Sequence, residues 1–142
     1  MEVRRLNDED LVRVAELYLA SYGVKWSVEG ASAYLEKFYR FEPERALVSV
    51  EGDGRISGAV LGYSFERESG VVLFIQELMV HPDFRNKGYG KVLVQKLRDS
   101  LIKSASRVAI KPLVKADTTV LNFYNSLGFE RDRVVSFSYD IE

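Results

Sequence analysis

The run Val71–Val80, VVLFIQELMV, constrains the fold more than any other stretch of this chain, being apolar throughout except at Gln76 and Glu77. A strand with one face in water alternates apolar and polar residues, so a run this apolar has to be covered on both faces. That calls for a parallel or mixed sheet with helices packed on it. The neighbouring segments supply both. Gly88–Ser104 places Leu93, Leu97 and Leu101 on one helical face, and Arg107–Lys111 (RVAIK) reads as a further strand. Strand, helix, strand in this order is a right-handed crossover with its two strands parallel.

The rest of the chain fits around that unit. Residues 2–6 read as a short strand, and Asn7 caps a helix whose first turn holds Asp8, Glu9 and Asp10, where the helix dipole favours acids. Leu11, Val14, Ala15 and Tyr18 form its apolar face. Ser27 caps a second helix with Ala31, Tyr34, Leu35 and Phe38 on one side. Residues 46–51 and 55–66 are strands around the tight turn Gly52-Asp53-Gly54. His81-Pro82-Asp83 ends the apolar run. Asp117 caps a last short helix, in which Val120, Phe123, Tyr124 and Leu127 share a face, and Gly128 stops it. Phe129–Arg133 and Val134–Ile141 read as two closing strands. The expected class is α/β, one mixed sheet with helices packed on it, in a single domain over residues 1–142.

Composition narrows the chemistry. Twenty basic and 21 acidic residues leave a net charge of −1, which offers no electrostatic footprint for nucleic acid or an anionic membrane. No apolar stretch approaches the roughly 18 residues of a membrane span, and MEVRRLNDED has no hydrophobic signal core, so a cytoplasmic location is expected. The absence of cysteine removes disulfides, thiol nucleophiles and Cys/His zinc sites, and His81 is the one imidazole. No metal site is expected. Catalysis would have to run on carboxylates, tyrosines, backbone amides or a bound cofactor.

Arg85-Asn86-Lys87-Gly88-Tyr89-Gly90 lies where the apolar strand gives way to the long helix. A glycine-bearing turn at a helix N-terminus presents unpaired N–H groups at the positive end of a macrodipole and binds pyrophosphate. Two rival phosphate motifs fail here. The dinucleotide fingerprint needs a third glycine where Leu93 stands, and the triphosphate loop needs Ser or Thr where Val92 stands.

Arg85, Gly88 and Gly90 match the Arg/Gln-x-x-Gly-x-Gly/Ala signature of the GCN5-related N-acetyltransferases, which this chain resembles over essentially its whole length. Leu78-Met79-Val80-His81-Pro82 looks like that family's cofactor strand, and Tyr124-Asn125-Ser126-Leu127-Gly128-Phe129 like its late Tyr-x-x-x-Gly-Phe element. Asp117 departs from the Asn the family often carries at its position. The resemblance implies a mostly antiparallel mixed sheet, splayed between its fourth and fifth strands, with about four helices. It implies acetyl-coenzyme A as cofactor, with the pantetheine along Leu78, Met79 and Val80. The pyrophosphate would lie on the Arg85, Asn86, Lys87, Gly88, Tyr89 and Gly90 amides, with the Lys87 and Lys91 side chains either assisting it or solvated, and Asp117 would be a further cofactor-binding position besides capping its helix.

In that picture a primary amine attacks the thioester directly in a ternary complex, since no cysteine is available for an acyl-enzyme. An oxyanion would meet N–H groups near Met79 and Val80. Glu77 is the candidate general base, because a carboxylate in an apolar strand needs a partner or a role; pairing with a basic neighbour is the structural alternative. Gln76 is expected on the opposite face as a core amide. Tyr124 is the candidate acid by its place in the resemblance, and a packed helix tyrosine otherwise. Tyr22 and Trp26 either line the acceptor site or anchor the core. Glu29, Glu36, Glu42, Glu44, Glu66 and Glu68 would suit a cationic acceptor, or are solvated faces. A silent coenzyme A-binding module, or a domain in which residues 85–90 are merely a turn, are the rival readings. The acceptor (small molecule or protein amine) and a homodimeric state stay open at this level.

Overall fold

In the computed structural model, which describes residues 1–102 and 108–141, the apolar run is a central strand. The elements in chain order are β1 (Glu2–Arg5), α1 (Leu11–Tyr22), α2 (Val28–Phe41), β2 (Ala46–Val50), β3 (Ile56–Arg67), β4 (Gly70–Val80), α3 (Tyr89–Ile102), β5 (Val108–Pro112) and α4 (Thr118–Ser126). The strands form one sheet in the order β1-β2-β3-β4-β5, antiparallel throughout except for the parallel pair β4–β5. Local signals act where expected. Asn7 and Asp10 form a reciprocal capping box, Ser27 caps α2 through the Gly30 N–H, and Asp117 caps α4 through the N–H groups of Thr119 and Val120.

Both faces of the sheet are covered. On one, Val48, Ala59, Leu61 and Met79 pack with Leu11, Val14 and Leu17 of α1 and Ala31 and Leu35 of α2. On the other, Val60, Leu73 and Ile75 pack with Leu93, Val94, Leu97 and Leu101 of α3. This is the double cover that the apolar run demands. Asp10 is buried beneath α1 and held by Arg4 at 2.7 Å and Arg13 at 3.0 Å. Its carboxyl sits below the ordinary range; burial pushes it up, and the Arg4 hydrogen bond and the Asn7 N–H together outweigh that.

One expectation fails. Residues 129–141 form no strand in the structure, where two were expected. Val135, Phe137, Tyr139 and Ile141 alternate with polar residues yet stand exposed, Phe137 at 92%. Alternation says which side chains a strand would bury, but a strand also needs a partner to bond with, and among the described residues none pairs with this segment. The start of the segment is anchored: Lys111 of β5 pairs with Asp132 at 2.7 Å, and Phe129 packs on the α3-side core. The expected end of α3 at Ser104 and the start of the following strand at Arg107 lie outside the described residues. Among the described residues no helix is long and apolar enough to cross a membrane.

Candidate active site

The site begins with an irregularity in β4. Leu61 lies opposite Glu77 and Gly62 opposite Ile75, so Gln76 has no partner on β3. One extra residue is a β-bulge, and it resets the alternation of faces. Ile75 and Leu78 both face the α3 core, while Gln76 and Glu77 both turn toward α2 and meet the same tyrosine. Gln76 therefore does not point to the opposite face; the bulge brings it round beside Glu77.

Glu77 is held by phenols. Tyr22 Oη donates to Oε1 at 3.0 Å, Tyr34 Oη donates to Oε2 at 3.1 Å, and Gln76 Nε2 donates to Tyr34 Oη at 3.0 Å. Gln76 thereby fills the acceptor side of the Tyr34 hydroxyl and leaves its proton for Glu77. Tyr22 Oη also lies 3.3 Å from the carbonyl of Leu78. Among the described residues no cation acts on Glu77, so the basic strand neighbour considered as its partner is not there. Burial raises the Glu77 carboxyl above its usual range, and the two phenol hydrogen bonds hold it back only in part. Burial pushes the Tyr34 phenol up to about 12, and it pushes the Tyr22 phenol up as well.

Tyr124 is a buried residue of α4, its ring edge-on to Phe123 at 5.0 Å and Phe129 at 5.3 Å. Burial, then the charge of Glu77, raise its phenol to about 12, so it keeps its proton at any physiological pH. Among the described residues the Tyr124 hydroxyl has no hydrogen-bond partner, yet it is not sealed from solvent. Its proton is free to be given.

The sheet splits beside these groups. Pairing between β4 and β5 runs from Val71–Val108 to Ile75–Pro112 and stops, leaving the Gln76–Val80 edge of β4 unpaired by β5. The carbonyl of Leu78 lies 3.3 Å from Tyr22 Oη, and that of Val80 accepts from Arg85 Nε at 3.2 Å and Ser21 Oγ at 3.4 Å. Backbone groups alternate along a strand, so the Leu78 and Val80 N–H groups share that outward direction, while those of Met79 turn toward Ala59. Met79 itself is 1% exposed in the core, so the edge offers donors from Leu78 and Val80 rather than from Met79.

Beyond Val80 the chain turns through left-handed Asn86 and Gly88 into α3. The first bond of the helix runs from Val92 N–H to Gly88 C=O, so the N–H groups of Tyr89, Gly90 and Lys91 have no partner within it. The two glycines serve different ends. Gly88 has φ +80° and open space within 4 Å of where a Cβ would stand. At Gly90 a Cβ would lie 3.1 Å from the Phe123 ring, so that glycine lets α3 approach α4 rather than a phosphate.

The other loop residues divide the same way. Arg85 reaches back to the Ser21 carbonyl at 2.7 Å, tying the loop to the end of α1. Tyr89 stacks on Phe84 and donates to Glu51 at 3.0 Å, so its side chain braces the loop against the β2–β3 turn. Lys87 lies over the Phe84 ring, Lys91 is exposed, and Asp117 Oδ1 is engaged in capping α4. Tyr34 and Ser21 are the site residues that the sequence reasoning passed over. A tyrosine on an apolar helix face needs a partner for its hydroxyl, and that signal pointed to Tyr34. An open cleft of about 500 Å³, lined by Arg13, Glu16, Asp53, Arg55 and His81 among others, includes none of Glu77, Tyr124 or the 85–90 loop.

The family model of the acetyltransferase (GNAT) family matches residues 11–129, spanning the split sheet, the loop and Tyr124. The chain belongs to this family. It is 32% identical over 98 residues to an acetyltransferase of Yersinia enterocolitica, covering 68% of this chain and 64% of that protein. It is 26% identical over 145 residues to an uncharacterized N-acetyltransferase of Methanocaldococcus jannaschii, covering 94% and 62%. The chain thus spans a little under two thirds of the length of these relatives. Its fold resembles that of an Arabidopsis thaliana protein solved in complex with the bisubstrate analogue CoA-Ac-MVNAL. The TM-score is 0.77 at 21% identity, covering 99% of this chain and 91% of that one.

Proposed function

We propose that this GNAT protein moves an acetyl group from acetyl-coenzyme A to a primary amine, the amine attacking directly in a ternary complex. One observation carries the reading: where β4 and β5 part, the carboxylate of Glu77 has no cation beside it, and its charge is felt by the phenol of Tyr124, which has no hydrogen-bond partner among the described residues. When bound, the coenzyme supplies an acyl group activated as a thioester. The residues present fit it. The unpaired β4 edge offers the Leu78 and Val80 N–H groups, Gly88 leaves open space, and the free N–H groups of Tyr89, Gly90 and Lys91 suit a diphosphate.

An amine must lose a proton to become a nucleophile, and Glu77 Oε1 is the atom that takes it. Tyr22 releases that oxygen by turning its O–H to the Leu78 carbonyl, which it already approaches. Tyr34, oriented by Gln76, keeps Oε2 occupied and the carboxylate fixed. Tyr124 Oη holds the proton that a departing sulfur needs. Free-thiol release from acetyl-coenzyme A across a panel of amines tests the reading. Amine-dependent thiol release is expected. Tight coenzyme A binding with no release for any amine would instead mark a silent binding module.

A further inference from the structure

The surroundings of Glu77 also say what kind of amine it receives. Its neighbours are neutral: Tyr22, Tyr34 and Gln76 bond around the carboxylate, and Tyr18 and Tyr124 lie within reach of its charge. Among the described residues no second carboxylate acts on it. Of the acidic residues considered for a cationic acceptor, Glu36 is engaged by Arg40, Glu42 by Arg45 and Ser64, and Glu68 by Arg67. The site therefore balances one positive charge.

Outward from Glu77 the wall is aromatic. Tyr18 stands edge-on to Tyr22 at 5.0 Å and to Trp26 at 6.3 Å, and Trp26 lies 6.2 Å from Tyr34. The indole is seated, since a Cβ on Gly30 would collide with it. Yet Tyr22, Val24 and Trp26 remain 47%, 43% and 49% exposed, an apolar surface leading from the carboxylate into solvent at the α1–α2 connection.

We propose that the acceptor is a monocationic primary amine attached beside an apolar group, its ammonium on Glu77 and its apolar part against Tyr22, Val24 and Trp26. This deepens the transferase reading above and rests on it for the direction of chemistry. Aromatic faces attract a cation as well as an apolar chain, so the same wall serves both parts of such a ligand. A polyamine or aminoglycoside would bring further charges into a place with nothing to balance them. Two sources present this chemistry: a free arylalkylamine, or the α-amine of a peptide with a large apolar first residue. A carboxylate base deprotonates an α-amine, of pKa about 8, more readily than an alkylamine near 10.

Trp26 is the one tryptophan of the chain, so its fluorescence reports binding independently of turnover. The protein, saturated with coenzyme A, is titrated with 2-phenylethylamine, Leu-Gly-Gly, spermidine and kanamycin. At least one of the first two is expected to change the emission saturably, with a Kd about tenfold or more below those of the polycations. Which of them binds distinguishes the sources. Glu77→Gln should weaken that binding by about tenfold or more while coenzyme A affinity is kept. Spermidine or kanamycin binding as tightly as the apolar amines, or no saturable change with either apolar amine, overturns the proposal. Saturable apolar-amine binding without thiol release overturns the transferase reading and leaves the amine class standing.

Discussion

Tyr34 Oη donates to Glu77 Oε2 at 3.1 Å, and the bulge at Gln76 is what makes the meeting possible. Without the extra residue, strict alternation would put Gln76 and Glu77 on opposite faces of β4. With it, one helix hydroxyl links both and the carboxylate is held without a cation.

The pH dependence of turnover should follow from that link. A base works in its ionised form, so kcat/KM rises with pH through the Glu77 pKa, which burial has raised. Tyr34→Phe removes a hydrogen bond that lowers this pKa, so the acidic limb moves to higher pH. Glu77→Gln abolishes the limb and lowers kcat by about a hundredfold. Initial rates of thiol release from pH 5 to 9 measure both, and an unmoved limb in both variants removes Glu77 as the base.

Tyr124→Phe keeps the ring that packs against Phe123 and Phe129 and deletes only the free hydroxyl. Its kcat should fall by about a hundredfold with coenzyme A affinity little changed. Turnover equal to that of the wild type would leave Tyr124 a packing residue.

Gly90→Ala places a methyl 3.1 Å from Phe123 and should destabilise the fold by about 1–3 kcal/mol. Phe123→Leu in the same chain should return part of that loss, because the two changes share one contact. Thermal unfolding of the single and double variants gives the coupling, and strictly additive losses would place the strain elsewhere.

Much of this molecule was legible because its signals are local. Asn7, Ser27 and Asp117 announce helix starts by bonding to the next few N–H groups, and the β4 run announces its double cover by composition alone. The bulge was not legible, since a one-residue register shift depends on how β3 and β4 pair and leaves no mark in β4 itself. The same limit explains residues 134–141, where alternation is clear but pairing is a property of two segments. Gly90 shows a third case. Its place in the loop read as part of a pyrophosphate-binding turn, whereas the demand for glycine comes from Phe123, some thirty residues later in the chain.

A diphosphate meeting main-chain nitrogens at the start of α3 is what the proposed chemistry most requires, and calorimetric titration of coenzyme A into the wild type and Gly88→Ala tests it most directly. Gly54→Ala is the matched control, since Gly54 also has positive φ (+89°) and open surroundings but lies in the β2–β3 turn. One-site binding by the wild type, weakened about tenfold or more in Gly88→Ala and unchanged in Gly54→Ala, is the predicted result. Equal affinity in all three proteins, or no binding by the wild type, would contradict the account.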